Sequence, residues 1–150
     1  MSDHATTDTR EIIVEILLSL EKGQDFSHKL MKAVLDKYDY LDPREKAFIK
    51  RVTEGTIERQ LELDYYLDRF SSVPVRKMKP LIRCLLRMST YQILYMDAVP
   101  DSAVCNEACK LAAKRGFRTL KGFVNAVLRN ISRSKEQLSL IHISEPTRQA

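Results

Sequence analysis

The stretch PLIRCLLRMSTYQILYM, residues 80–96, limits the possible folds of this chain more than any other segment. As a helix it would carry apolar side chains around much of its circumference, namely Leu81, Ile82, Leu85, Leu86, Met88 and Ile93. A helix of this kind is buried, whereas a surface helix exposes a polar face. The segment is therefore predicted to be the central helix of the domain.

The preceding segments repeat apolar residues at the period of an amphipathic helix. From position 12, isoleucine and leucine form one stripe, which predicts a helix capped by Asp8 or Thr9 and ended by Gly23. Ser27 is the expected cap of a second, shorter helix. Each stripe supplies one apolar face to a shared core.

The residues LDPREK contain the clearest helix start in the sequence. Asp42 stands at the N-cap position, Pro43 at the first helical position and Glu45 at the spacing of a capping box. Gly55 then falls in the middle of the predicted helix, where glycine costs about 1 kcal/mol relative to alanine. We expect another helix to approach closely at this glycine.

Helical patterns cover nearly all of the chain up to position 133. The main interruption is SSVPVRKMKP, residues 71–80, which is too short for a domain linker and is expected to connect two helices. At 150 residues the chain fits one domain with a real core. The predicted fold class is all-α, a compact bundle of six or seven helices.

Charge is divided unevenly along the chain. Residues 1–75 hold 11 Lys and Arg against 15 Asp and Glu, whereas residues 76–150 hold 14 against 5. Such asymmetry is typical of proteins that bind nucleic acid, although a lysine-rich solvated surface gives the same composition.

The candidate RNA-binding residues are the cations of the basic half. Lysine and arginine bind phosphates through charge, and such contacts position a nucleic acid without reading its sequence. The candidates are Arg76, Lys77, Lys79, Lys110, Lys114, Arg115, Arg118, Lys121 and Arg129.

Four other polar or aromatic residues allow two interpretations each. Tyr91 and Tyr95 have the spacing to stack on bases, but this spacing on a largely apolar helix favours the core. Asn106 and Asn125 lie within predicted helices, where asparagine is mildly unfavourable. Each is either exposed or hydrogen-bonded to its own helix, or the two take part in a polar contact between the last two helices.

Catalytic and metal-binding motifs are not found in the sequence. Cys84, Cys105 and Cys109 lack the partners of a zinc site, and we expect reduced thiols that serve packing. No phosphate-binding loop, nucleophile elbow or dinucleotide fingerprint occurs. No apolar stretch has the length of a membrane span and no signal peptide is evident, so we expect a cytoplasmic protein without membrane contact.

The stretches VPDSAVCNEACKLAAKRGF and KGFVNAVLRNI resemble the NusB-type RNA-binding domain. This all-helical domain occurs as free-standing antitermination factors and as the N-terminal domain of RsmB-type (Sun or Fmu) 16S rRNA cytosine-C5 methyltransferases. The resemblance extends from Thr9 to Arg133. The motifs that resemble the methyltransferase form are Tyr91-Gln92, Met96-Asp97, Lys121-Gly122-Phe123 and Leu128-Arg129.

The resemblance implies that residues 1–135 form a NusB-like domain that binds RNA. The RNA that it implies for the methyltransferase form is 16S rRNA. In such enzymes catalysis belongs to a separate C-terminal domain that uses S-adenosylmethionine and two cysteines. No cysteine here matches those motifs, so the resemblance implies no catalytic residue and no cofactor in this chain. The alternative is a free-standing antitermination factor that binds RNA together with ribosomal protein S10.

The final residues break the pattern of the rest. LSLIHISEPTR, residues 138–148, resembles the in-frame translation of a sequencing-library adapter. A strand-like LSLIHI would have no partner in an all-α domain. We therefore expect residues 136–150 to be a non-native or disordered tail, and the catalytic domain of the parent to be absent from this chain.

Overall fold

The computed structural model describes the backbone of residues 2–135 and the side chains of residues 9–135. All regular structure in this part of the chain is helical, which confirms the all-α prediction. The α-helices are α1 (Ser2–Glu21), α2 (His28–Lys37), α3 (Pro43–Glu58), α4 (Gln60–Phe70), α5 (Pro80–Tyr95), α6 (Asp101–Lys114) and α7 (Lys121–Arg133). Single 3-10 turns at Val75–Lys77 and Arg118–Leu120 precede α5 and α7. The adapter-like segment 138–148 and the whole predicted tail lie outside the described residues.

Helix α5 is the centre of the domain, as its apolar circumference predicts. Five other helices pack against it: α1, α3, α4, α6 and α7. From Leu81 to Ile93 every residue of α5 except Arg83 is buried. The surrounding helices each place an apolar stripe on this axis, and the buried residues form one continuous cluster.

The predicted helix ends are largely confirmed. Asp42 and Glu45 form the complete capping box, with each side chain accepting from the other residue's backbone N–H at 2.8 and 3.1 Å. The Ser27 hydroxyl accepts from the Leu30 N–H at 3.0 Å and caps α2. Gly23 follows α1 with a φ of +102°, a left-handed conformation that glycine adopts without a steric penalty.

The predicted start of α1 is wrong. The helix begins at Ser2, so neither Asp8 nor Thr9 is a cap, and the side chain of Thr9 is buried. A capping residue works only where the preceding backbone leaves the helix. The residues before Thr9 include no glycine or proline that would force this break.

Gly55 lies against the ring of Tyr91, as a close helix approach predicts. A Cβ atom on Gly55 would be 2.2 Å from Cζ of Tyr91, far inside van der Waals contact. Tyr91 is buried, so the core interpretation of this tyrosine holds. Tyr95 is half-buried and its ring lies under the Arg59 guanidinium, 4.4 Å from the ring centroid.

The α6–α7 pair is joined at one end by Asp101, which accepts from the Ser132 hydroxyl at 2.6 Å and from Lys135 Nζ at 3.1 Å. The predicted polar contact of Asn106 and Asn125 between these helices is not found. Asn106 is exposed, and Asn125 accepts from Arg129 on its own helix at 3.0 Å. The local alternative for both asparagines is therefore correct.

Candidate nucleic-acid interface

Residues 71–79 connect α4 to α5, and the second part of this connection, residues 74–79, is called the basic loop here. Its three cations, Arg76, Lys77 and Lys79, are all exposed. The apolar residues between them, Val75 and Met78, are buried and fix the loop to the core. Among the described residues none of the three cations has a carboxylate within ion-pair distance. The loop therefore presents uncompensated positive charge to solvent.

The cations at the end of α6 are compensated by α1, a relation that sequence alone did not reveal. Lys114 Nζ lies 2.7 Å from Glu11, and the Arg115 guanidinium contacts both Glu11 and Glu15. Lys110 lies 3.4 Å from Glu107 on its own helix and is 58% exposed. These three predicted site residues present less net charge than their number suggests, because carboxylates lie beside each of them.

A second group of exposed cations surrounds the turn between α6 and α7. Gly116, with a φ of +92°, ends α6 and allows the chain to turn into the next 3-10 segment. Arg118 and Lys121 are exposed there and have no carboxylate partner in the described part of the chain. Arg129 is also exposed, and its bond to the neutral Asn125 amide leaves its charge uncompensated.

Among the described side chains the most buried cation is Arg10, which the sequence analysis did not single out. Its Nε and Nη2 both donate to the Gln92 amide oxygen, at 3.1 and 2.9 Å, and its guanidinium lies 5.2 Å from the centre of the Phe48 ring. Burial lowers the pKa of Arg10, and the field of Glu107 partly opposes that shift. A pocket of about 220 Å³ opens beside Arg10 and is bordered by Arg44.

A cluster of ion pairs that the sequence analysis did not identify joins α1, α4 and α5. Arg83 donates to both carboxylate oxygens of Glu21, at 2.8 and 2.6 Å, and Arg87 bridges Glu21 and Asp64 at 3.2 and 2.7 Å. The hydrogen bonds from Arg83 lower the pKa of Glu21. Only the fold brings these residues together, since Glu21 and Arg83 are 62 positions apart.

All three cysteines are free thiols, and burial raises the pKa of each. Cys84 and Cys105 are buried, and burial together with Glu21 raises the pKa of the Cys84 thiol to about 12. Within residues 9–135 no group of three or more potential ligands could hold a metal ion. None of the described helices combines the length and apolarity that a membrane span requires.

The fold and the exposed cations define a class: an all-helical domain with an apolar central helix and a basic surface. The chain belongs to the NusB family, whose model matches residues 7–133. It is 38% identical over 85% of its length to the probable ribosomal RNA small subunit methyltransferase B of Bacillus subtilis, and 34% identical over 69% of its length to the transcription antitermination protein NusB of Kineococcus radiotolerans.

The chain spans 28% of the Bacillus methyltransferase and 77% of the Kineococcus antitermination protein. Among solved structures, it is similar to a chain in a complex of the antitermination factors NusB and NusE with double-stranded RNA. The TM-score is 0.77 at 15% identity, over 87% of this chain and 98% of the matched chain. This similarity confirms the NusB fold.

Proposed function

We propose that this chain is the RNA-docking domain of an RsmB-type 16S rRNA cytosine-C5 methyltransferase. The observation that carries the proposal is the basic loop, whose three exposed cations have no carboxylate partner among the described residues. The 38% identity to a small-subunit rRNA methyltransferase supports rRNA as the ligand. Methyl transfer would belong to a catalytic domain outside this sequence, which would bind S-adenosylmethionine.

The structure also supports an order of importance among the predicted RNA-binding residues. The basic loop comes first, because its cations are free to approach phosphates. Arg118, Lys121 and Arg129 come second as exposed, uncompensated cations. Lys110, Lys114 and Arg115 contribute least, because an RNA phosphate would have to compete with carboxylates for them.

The dependence of RNA affinity on salt concentration tests this proposal. Cations that replace condensed counterions on phosphates give a linear fall of log affinity with log salt, with a slope of about −0.7 per phosphate contact for single strands. The chain should bind an unmethylated 16S rRNA transcript with a clearly negative slope. Undetectable binding at low salt, or an affinity that does not depend on salt, would contradict it.

Two further measurements address the methyltransferase parent. The chain alone, incubated with undermethylated 16S rRNA and labelled S-adenosylmethionine, should transfer no methyl group. Sequencing the source DNA past this segment should show a reading frame that continues into a methyltransferase domain. Methyl transfer by the chain itself would overturn the assignment of catalysis to another domain.

The second candidate function is a free-standing antitermination factor that binds RNA with ribosomal protein S10. Its support is the Kineococcus relative, of which this chain covers 77%, and the similar fold of a chain in the complex of NusB with NusE, which is S10. Titration of labelled S10 with the chain distinguishes the two candidates. Binding at micromolar concentration favours the antitermination function, and its absence favours the methyltransferase parent.

A further inference from the structure

The backbone of the basic loop is held from both neighbouring helices. On the α4 side, Asp68 Oδ1 accepts a hydrogen bond from the Val75 N–H at 2.8 Å. On the α5 side, Arg83 Nη1 donates to the carbonyl oxygens of Val75 and Met78, each at 3.2 Å. Nε and Nη2 of Arg83 donate to Glu21, so the guanidinium itself has a fixed place.

These contacts fix the segment that carries the cations while leaving the cations unbound. Within the loop the Lys77 N–H donates to the Pro74 carbonyl at 2.9 Å and the Met78 N–H donates to the Val75 carbonyl at 3.1 Å. Val75 and Met78 are buried on either side of Arg76 and Lys77. The backbone of the loop is thus ordered by hydrogen bonds and packing before any ligand arrives.

We propose that Asp68 is a positioning residue for RNA binding, which holds the basic loop through the Val75 amide so that Arg76, Lys77 and Lys79 form a fixed platform for phosphates. The inference rests on the proposed RNA-binding function. A platform that is ordered in the free protein loses less conformational entropy on binding than a flexible loop does. Asp68 acts only through the loop and contacts no phosphate itself.

The charge of Asp68 makes the proposal testable, because charge and position predict opposite effects. A carboxylate that is hydrogen-bonded to the backbone of the loop repels RNA, so electrostatics alone predicts tighter binding when the charge of Asp68 is removed. Positioning predicts weaker binding when the acceptor is lost. Asparagine separates the two effects, since it removes the charge and keeps an oxygen that can accept from the Val75 N–H.

The experiment compares Asp68→Asn with Asp68→Ala by their affinity for an unmethylated 16S rRNA transcript. Asp68→Asn should bind at least as tightly as the wild type. Asp68→Ala should bind roughly 2- to 10-fold more weakly than Asp68→Asn, the range that loss of one ordering hydrogen bond corresponds to. Equal or tighter binding by Asp68→Ala than by Asp68→Asn overturns the proposal.

Glu58→Ala is the matched control for loss of charge. Glu58 is an exposed carboxylate at the end of α3 and makes no hydrogen bond with the basic loop. This variant should bind RNA as well as the wild type or slightly better. Hydrogen exchange gives an independent readout of the loop: the Val75 amide should exchange faster in Asp68→Ala than in Asp68→Asn, and equal rates count against the proposal.

Charge reversal of Arg76, Lys77 and Lys79 separates failure of this inference from failure of the proposed function. If the wild type does not bind RNA, the proposed function falls and this inference falls with it. If the wild type binds and the reversed variant keeps that affinity, the basic loop is not the RNA contact, and the positioning role of Asp68 is overturned while RNA binding stands. If the reversed variant loses affinity while Asp68→Ala binds as tightly as Asp68→Asn, only the positioning role of Asp68 is overturned.

Discussion

Arg10 on α1 and Gln92 on α5 lie 82 positions apart and meet through two hydrogen bonds to a single amide oxygen. Both side chains are buried, and Gln92 Nε2 donates in turn to the Met88 carbonyl at 3.0 Å. A buried guanidinium is thus held by a neutral acceptor and the face of Phe48. The pair therefore connects the first helix to the central one, and the hydrogen bonds are lost if either residue is replaced.

Replacement of Gln92 by leucine should destabilise the protein by about 3 kcal/mol. The variant removes the acceptor of two hydrogen bonds and leaves a buried charge without its partner. Urea unfolding measures the loss. In the double variant Arg10→Met with Gln92→Leu the buried charge is gone, so its cost should be smaller than the sum of the two single costs. Simple additivity would show that the two residues do not interact.

Gly55→Ala should destabilise the protein by about 1–3 kcal/mol, because the added methyl group displaces the buried ring of Tyr91. Gly122→Ala is the matched control: it lies in α7, and nothing approaches a Cβ there within 4 Å. Gly122→Ala should leave stability unchanged or raise it by up to about 1 kcal/mol. The melting temperature should therefore fall for Gly55→Ala and stay unchanged or rise for Gly122→Ala. An equal change in the two variants would contradict the close contact.

Stability should depend on the ionisation of Glu21. Its pKa is lowered chiefly by hydrogen bonds from Arg83, so the ionised form stabilises the folded state. That contribution is present above the ordinary glutamate pKa, about 4.3, and is lost as the pH falls through the lowered value. Glu21→Gln should therefore be less stable than the wild type at pH 7, by about 1 kcal/mol because solvent screens this partly exposed carboxylate, and the difference should shrink in acid.

Urea unfolding of both proteins between neutral and acid pH measures this difference. Glu58→Gln serves as the control, because Glu58 is exposed and lies outside the cluster of Glu21, Arg83, Arg87 and Asp64. A stability difference between Glu21→Gln and the wild type that stays constant with pH would refute the assigned role of Glu21.

Reversal of Arg76, Lys77 and Lys79 to glutamate should abolish most RNA affinity at moderate salt. Their replacement by alanine should reduce the magnitude of the slope of log affinity against log salt by about 2, for three phosphate contacts. The control reverses Lys22, Lys29 and Lys50, three exposed lysines of the acidic half. If the control loses as much affinity as the loop variant, binding depends on net charge and not on the basic loop.

Alkylation of the native protein near neutral pH should modify Cys109 first. Cys84 and Cys105 are each only 1% exposed, and burial raises the pKa of both thiols. Cys109 is half-buried, and burial raises its pKa as well, so its reaction should be slow. Mass spectrometry should show slow modification of Cys109 alone in the native protein, and modification of all three cysteines once denaturant unfolds it. Rapid native modification of Cys84 would contradict its burial.

Local signals in the sequence were sufficient to predict most of the fold. The apolar circumference of α5, the capping box at Asp42 and the glycine at position 55 each depend on residues within a few turns, so they can be read in order along the chain. The prediction of the start of α1 was wrong because it also relied on local signals, and polar residues that can cap a helix can also continue one. The cations of the basic loop were likewise predicted from their place in the connection between two helices, and the structure shows that they are exposed.

The sequence by itself thus determined the helical class, the central helix and the position of the basic loop, because periodicity, caps and local charge act over short distances. Only the tertiary structure decided which charges are free and which are compensated. Lys114 and Arg115 meet Glu11 and Glu15 across about 100 positions, and Arg10 meets Gln92 across 82. These pairings follow from how α1 packs against α5 and α6, and their strength depends on distance and burial, neither of which is written in the order of residues.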